Sequence, residues 1–505
     1  MSRETVGTPV STLIRGWAVD PAAGREGAAE LEIRDGVLVR VTWLESEAAA
    51  GITPDGTLIT PGFVDLHAHF REPGNEDAET VATGLAAAAH GGFTTVCLMP
   101  NTTPAIDEPS VLARVREAAS ASGSPVRVLV HGAVTHGRKG ETLAAMGELA
   151  DAGVVGFSDD GAPVRSAPIL RNALAYAGAL GLPIIDHPED PALTEGAEAS
   201  EGYVATVLGL RGWPVAAEAG AVARAIAILA DVVRDVPGAR LHLTHVSTAA
   251  SLAHVHAAKV AGLPVTCDVT PHHLGFTDEW IAGSRRWAWE ALDEDGRARD
   301  PWTDGALVAR PFSTALRVNP PLRSADDAAA CLGALADGTA DAIATDHAPH
   351  TEVDKHVEFG WAINGISGIE TAIGIVLAAV ESGGLSLARA IEALTTGPAR
   401  VLGVPGERNG VRRDRPGRAP LEGQEHPAPG TRAVRPRATR HRRRAGRAHG
   451  GLTPAGSHRR PESPRGGHPL ATAPQPLAMT FPRRLRTAQR MAAALRPYGG
   501  SRSGS

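Results

Sequence analysis

From residue 57 to about residue 400 the sequence alternates between short apolar runs and Ala-rich stretches of helical character, a pattern that leaves few folds open. Eight runs read as strands, at 57–66, 92–99, 126–133, 153–158, 182–187, 240–246, 264–269 and 339–345. Helix-like segments lie between them, among them 79–90, 109–120, 167–180 and 217–233. Short continuous apolar runs suit strands buried on both faces, and a parallel partner is reached only through a crossover such as a helix. Eight such units predict an α/β fold, a TIM (β/α)8 barrel over 57–404. A doubly wound open sheet is the structural competitor. No Gly-x-Gly-x-x-Gly opens a helix after the first strand, which weakens a dinucleotide-binding reading.

Residues 1–56 are different. Short alternating pieces, such as Leu31-Glu32-Ile33-Arg34 and Val37-Leu38-Val39-Arg40-Val41, are separated by turn residues such as Asp35-Gly36. They predict the hairpin strands of a small β-sandwich-like domain. The segment 278–316, between the last two barrel strands, is long, polar and Trp-bearing. It reads either as a wall or lid of the site or as a surface excursion.

Charge divides the chain. Residues 401–505 hold 22 Arg, no Lys and five acidic residues, so the net charge of −6 combines a basic tail with an acidic body. From about 405 the tail is dense in Arg, Pro and Gly, includes Arg442-Arg443-Arg444, and keeps no period of 2 or 3.6. It reads as disordered over 405–505, either as a nucleic-acid-binding arm or as a frame-shifted or decayed end of a GC-rich gene. The second reading is preferred, because aromatic residues do not interleave the charges and lysine is absent. Elsewhere the composition is that of an ordinary soluble protein, with no apolar run of the ~18 residues that a membrane helix needs. Cys97, Cys267 and Cys331 are widely spaced in apolar surroundings, and the opening Met1-Ser2-Arg3-Glu4-Thr5 has no signal-peptide core. Reduced, buried thiols and a cytoplasmic location are the expectation.

Barrel chemistry sits at the C-terminal ends of the strands, and those ends are rich in metal-ligand types. The first gives Asp65-Leu66-His67-Ala68-His69, where i and i+2 spacing throws both imidazoles to one side. The fourth gives Ser158-Asp159-Asp160-Gly161, the fifth Asp186-His187, the sixth Thr244-His245 and the eighth Thr345-Asp346-His347-Ala348-Pro349-His350. One strand-end His is more often structural, and a strand-end Asp often caps the next helix. Five of eight ends converging on one mouth point to metal. Imidazoles favour zinc, copper, nickel or iron over calcium or magnesium. Four His and two Asp exceed one catalytic zinc site and suffice for two ions sharing a carboxylate. Such a pair polarises a carbonyl and activates water, which predicts hydrolysis, or its reverse, at an amide-like carbonyl.

The motifs His67-Ala68-His69-Phe70-Arg71-Glu72-Pro73-Gly74, Met99-Pro100-Asn101-Thr102, Phe157-Ser158-Asp159-Asp160-Gly161, Asp186-His187, His245-Val246-Ser247-Thr248, Val318-Asn319-Pro320-Pro321-Leu322-Arg323 and Ala344-Thr345-Asp346-His347-Ala348-Pro349-His350 together resemble the bacterial type I dihydroorotases, members of the amidohydrolase superfamily. The resemblance covers residues 10–405. It implies two Zn2+ per subunit, the first held by His67, His69 and Asp346 and the second by His187 and His245. Asp160 is implied as the shared carboxylate, with Asp159 as the alternative. Relatives that use a carboxylated lysine there are a poorer match, because none of the three lysines, Lys139, Lys259 and Lys355, ends the fourth strand. The resemblance further implies Asp346 as the catalytic proton acceptor and Arg71, Asn101, Asn319, His350, Asn364 and Gly365 as substrate-binding groups. A guanidinium suits the carboxylate of dihydroorotate, and the asparagines can both donate and accept.

The implied reaction is the reversible closure of N-carbamoyl-L-aspartate to (S)-dihydroorotate plus water in pyrimidine synthesis. The alternatives are another cyclic amidase of the hydantoinase or allantoinase kind, or a non-catalytic scaffold for aspartate carbamoyltransferase. A homodimer and aspartate carbamoyltransferase are the candidate protein partners; membrane and nucleic acid are not expected. Two features depart from the family pattern. Ile363-Asn364-Gly365-Ile366 stands where relatives carry a Pro-Phe-Gly-like segment. The Arg/Pro-rich tail replaces the returning strands of the small β domain, so the C-terminal half of that domain is expected to be missing.

Overall fold

The computed structural model describes residues 11–308 and 310–404 and the backbone of 479–482. Strands β1 (Ser11–Asp20), β2 (Arg25–Arg34) and β3 (Val37–Trp43) form an antiparallel meander, with β1 and β2 in unbroken register from Ser11↔Arg34 to Asp20↔Arg25. The Asp35-Gly36 turn has positive φ at both residues, 52° and 78°, as a two-residue hairpin of right-twisted strands requires. Strand β4 (Thr57–Thr60) lies parallel to β1. Ala18, Ala29, Leu31 and Ile59 are buried together on one face of this sheet.

The barrel follows as β5 (Phe63–Ala68), β6 (Phe93–Leu98), β7 (Arg127–Val130), β8 (Phe157–Ser158) and β9 (Ile184–Asp186). A two-residue pair, β10 (Ala199–Ser200) with β11 (Gly212–Trp213), interrupts it before β12 (Leu241–Leu243), β13 (Val265–Val269) and β14 (Ala342–Ile343). The pairing gives two parallel arcs, β5-β6-β7 and β8-β9-β12-β13-β14. Parallel bridges Gly132↔Phe157 and Ala68↔His347 join their edges, so the eight strands close on themselves. Each of the eight expected runs supplies one barrel strand.

Helices lie between the strands, and several begin where a short polar side chain takes a stranded backbone N–H. Thr80, Ser166, Thr248, Ser324 and Ser386 cap in this way. Their apolar stripes bury Leu85, Leu174, Val255, Leu335 and Ile391, each contributing roughly 2 kcal/mol by removal from water. All three cysteines are buried and unpaired. Among the described residues no helix is long and apolar enough to cross a membrane.

Three expectations need correction. The apolar run 57–66 is two strands, because Pro61-Gly62 breaks it, so Thr57–Thr60 belongs to the small sheet rather than to a barrel domain starting at 57. Among the described residues the small unit is a single five-stranded sheet, ordered β15-β4-β1-β2-β3, and not a sandwich. Its fifth strand, β15 (Met479–Pro482), pairs antiparallel with β4, so the tail is not without structure and the sheet is not left open at β4. An edge strand presents unpaired N–H and C=O groups, and β15 takes them up. The remaining tail residues lie outside the described ones.

The segment 278–316 starts as interior, not as a surface excursion. Trp280 and Ile281 are buried with Phe276, Leu316 and Val318. The Trp287 ring lies 5.9 Å from that of Phe276 and 5.2 Å from that of Trp289. This aromatic stack backs the chain that carries Asn319.

Candidate metal centre and active site

His67 is fully buried near the end of β5, and His69 follows just beyond it. Two other residues reach the same point through unusual backbone: His245, with φ 39°, and Asp346, with φ 47°. A left-handed φ is rare for residues with a Cβ and persists only where the surroundings enforce it. Buried carboxylates do so here. Asp65 accepts from the backbone N–H of His67 at 3.2 Å and of Thr345 at 3.0 Å, and from the Thr345 hydroxyl, tying the first strand to the last. Asp268 accepts from the His245 N–H at 2.8 Å, the Thr244 hydroxyl at 3.1 Å and His242 Nε2 at 2.8 Å.

Neighbours also set which nitrogen faces inward in His67, His69 and His187. His67 Nδ1 meets the Thr244 hydroxyl at 2.5 Å, and that hydroxyl already donates to Asp268, so Nδ1 must donate and Nε2 is left bare. His69 Nδ1 donates to Asn101 Oδ1 at 2.9 Å, again leaving Nε2 inward. His187 is reversed: Nε2 donates to Glu189 at 2.9 Å and Nδ1 points in. Such outer partners fix tautomer and ring orientation at metal sites.

The inward atoms crowd together. His67 Nε2 and His69 Nε2 are 3.0 Å apart, as are His245 Nε2 and His187 Nδ1. Asp160 Oδ1 lies 3.5 Å from His67 Nε2, 3.1 Å from His187 Nδ1 and 3.5 Å from His245 Nε2, while Oδ2 lies 3.4 Å from His69 Nε2. Asp346 Oδ1 is 3.0 Å from His69 Nε2 and 3.5 Å from His67 Nε2. Two groups, His67–His69–Asp346 and His67–Asp160–His245, have ligand atoms all within 4.8 Å. Lone pairs and carboxylates converging this closely in a buried pocket repel one another unless a cation or protons lie between them. The donor set therefore fits metal. Asp160 touches both groups of imidazoles; Asp159 faces away, accepting from the N–H groups of Val134 and Thr135 at 2.9 and 3.1 Å.

Protons take up this charge when metal does not. Burial opposes the His67 cation, but the Asp160 and Asp346 carboxylates outweigh it and push its pKa up to about 9. His187, equally buried, rises to about 10 through Asp160 and Glu189. Burial alone would raise Asp346, yet its bond to His69 and the nearby imidazole charges hold it well below the usual carboxylate range. Metal binding must displace the histidine protons. Apparent metal affinity should therefore climb as pH rises from about 6 to 8 in chelator competition, and a flat profile would contradict the protonated-cluster picture.

A cavity of about 210 Å3 opens over the cluster, and all six expected substrate-binding residues, Arg71, Asn101, Asn319, His350, Asn364 and Gly365, line it. Arg71 donates from Nε to the Pro349 carbonyl at 3.0 Å, which steers its guanidinium across the mouth. Burial and the Arg71 charge keep His350 neutral, with a pKa lowered to about 4; its Nε2 donates to the Asn364 carbonyl at 2.8 Å. Gly365 has φ 146°, and a Cβ there would meet the Ala348 carbonyl oxygen at 2.4 Å. Gly365→Ala should raise KM about tenfold by displacing the adjacent wall, since small misplacements cost heavily in a preorganised site. Initial-rate kinetics would measure it.

Several site residues escape a reading of strand ends. Thr244 and Asp268 stand behind the imidazoles. Arg138, from a loop after β7, donates to the backbone carbonyl of Asp160. Glu189 joins His187 to Asn319. Only Glu189 left a signal: His187-Pro188-Glu189 repeats the i, i+2 spacing of His67 and His69 at a strand end.

A closed parallel barrel with His and Asp converging at the strand ends, in groups that could hold a metal ion, has the architecture of the amidohydrolase class. Residues 56–251 match the family model described as dihydro-orotase-like. A dihydroorotase of Anaeromyxobacter dehalogenans (strain 2CP-1) is 46% identical over 392 residues, 77% of this chain and 83% of the relative. One from Pelotomaculum thermopropionicum is 44% identical over 392 residues, 77% and 84% of the two chains. In fold, the chain is similar to the L-hydantoinase (dihydropyrimidinase) from Arthrobacter aurescens, with a TM-score of 0.60 and 24% identity over 77% of this chain and 82% of the other. The chain belongs to the dihydroorotase family.

Proposed function

We propose that this protein is a zinc-dependent dihydroorotase that interconverts N-carbamoyl-L-aspartate and (S)-dihydroorotate in pyrimidine synthesis. The observation that carries the reading is the shared position of Asp160, within 3.5 Å of His67, His69, His187 and His245 beneath a small polar cavity. His67, His69 and Asp346 would hold one Zn2+ and His187 and His245 a second, with Asp160 between them. When bound, the metal supplies Lewis-acid polarisation of the carbonyl and lowers the pKa of water.

The chain's own groups do the rest. Arg71, beside His350 and Asn101, pairs with the substrate carboxylate and orients the ring. Asn319 and the backbone of Asn364 and Gly365 meet the ureide edge. Asp346 accepts a proton in the hydrolytic direction and returns it to the leaving ring nitrogen; in the biosynthetic direction the order reverses. Buried walls exclude bulk water and strengthen each interaction. A cytoplasmic location is consistent with the three buried, unpaired thiols.

Purified protein should hydrolyse dihydroorotate and cyclise carbamoyl aspartate, with about two zincs per chain. Hydantoin hydrolysis without dihydroorotate turnover would replace this reading with that of another cyclic amidase. Absence of both metal and turnover would leave a scaffold role.

A further inference from the structure

Glu189 touches the two halves of the site at one atom. Its Oε2 lies 2.9 Å from His187 Nε2 and 2.9 Å from Asn319 Nδ2, while Oε1 takes the Thr194 hydroxyl. An ionised carboxylate only accepts, so all three neighbours must donate. Asn319 therefore spends its NH2 group on Glu189. Its Oδ1, buried and without a hydrogen-bond partner among the described residues, is the atom left for a ligand. Asn101 is fixed in the opposite sense. Its Oδ1 accepts from His69, which leaves its NH2 group for the cavity. The two asparagines are chemically identical, yet the pocket reads one as donor and the other as acceptor.

We propose that Glu189 is a positioning residue that sets this polarity, holding Asn319 as the acceptor for a ureide N–H while it orients His187 toward the metal. The proposal rests on the dihydroorotase reading and adds how one wall of that pocket tells donor from acceptor. A ureide presents N–H and C=O groups in fixed order, so a wall of fixed polarity selects its orientation. Because one oxygen serves both His187 and Asn319, ligand recognition and metal retention are coupled through Glu189.

The test removes what sets the polarity. In Glu189→Leu, Asn319 loses the acceptor that holds its NH2 group and can turn either face of its amide to the ligand, while His187 Nε2 loses its partner. In Asn319→Asp, two carboxylates face each other. In the double variant, the introduced carboxylate no longer faces a second one and presents an acceptor to the cavity in either orientation. KM for dihydroorotate, and the calorimetric Kd for carbamoyl aspartate, should rise at least tenfold in each single variant. The double variant should recover at least half of that loss on a logarithmic scale, which a packing role would not produce.

Zinc retention against a chelator gives a second readout. It should fall about tenfold in both proteins that carry Glu189→Leu and stay near wild type in Asn319→Asp. Additive losses in the double variant, or single variants with wild-type KM, would overturn the proposal. If Glu189→Leu does not fold, Asn319→Ala decides: KM must rise at least tenfold with zinc retention unchanged, and an unchanged KM overturns the proposal. Wild-type turnover is scored first. Its absence counts against the dihydroorotase reading, whereas wild-type turnover with additive variants counts against Glu189 alone.

Discussion

Replacing Asp346 by Asn should lower kcat for dihydroorotate by about a thousandfold, within the range of 10²–10⁴ that a positioned proton-transfer group supplies. The carboxylate sits at the end of the eighth barrel strand, with Oδ1 3.0 Å from His69 Nε2. Its left-handed φ of 47° turns the side chain into the mouth. Asparagine keeps the shape and can still meet His69, so the fold and KM should change little. It cannot hold the transferred proton. The measurement is steady-state kinetics at saturating zinc, with metal content determined on the same sample. A kcat within tenfold of wild type would assign the proton transfer elsewhere.

The second large effect is on stability. Arg323 and Glu218 form an ion pair at 3.3 Å, with side chains 1% and 0% exposed. The guanidinium also donates to Ser247 at 2.9 Å and stacks 4.2 Å above the Trp213 ring. Glu218 accepts from the N–H groups of Ser247 and Thr248 at 3.1 and 3.0 Å. Arg323→Met would strand a buried carboxylate, which typically costs about 3–5 kcal/mol. The Ser247 and Thr248 bonds offset part of this, so a loss of about 3 kcal/mol is expected in denaturant unfolding. Adding Glu218→Gln should recover a good part, because the stranded charge and not the missing attraction dominates the loss. A single-variant loss below about 1 kcal/mol would show that Glu218 takes up a proton instead. The pair also joins the chain after His245 to the chain after Asn319, so KM should rise in the same variant.

Much of this was legible before any coordinates. Alternation of apolar and Ala-rich segments foretold the eight strands, since a buried parallel strand leaves few alternatives. The i, i+2 spacing of His67 and His69 foretold that both would point one way. Other features had no such period to reveal them. Whether Asp159 or Asp160 turns inward depends on Val134 and Thr135, which lie 24 to 26 residues away and claim Asp159. Thr244 and Asp268 act through the two adjacent strands that carry them, and pairing of that kind leaves no mark on either segment alone. The split at Pro61-Gly62 does carry a signal, because a Pro-Gly pair marks a turn even within an otherwise apolar run. Strand β15 was hidden by distance and by the Arg/Pro-rich sequence around it.

Closure of the barrel by the Ala68↔His347 bridge places the first and last of the proposed ligands side by side, although His67 and Asp346 are separated by most of the chain. Synthesis proceeds from one end. His67 and His69 leave the ribosome long before Asp346 exists, and the ring cannot shut without the strand that bears it. A growing chain therefore passes through hundreds of residues carrying two exposed imidazoles and no finished binding place. On the proposed ligand assignment, metal loading follows closure of the ring by the eighth strand rather than the emergence of His67 and His69.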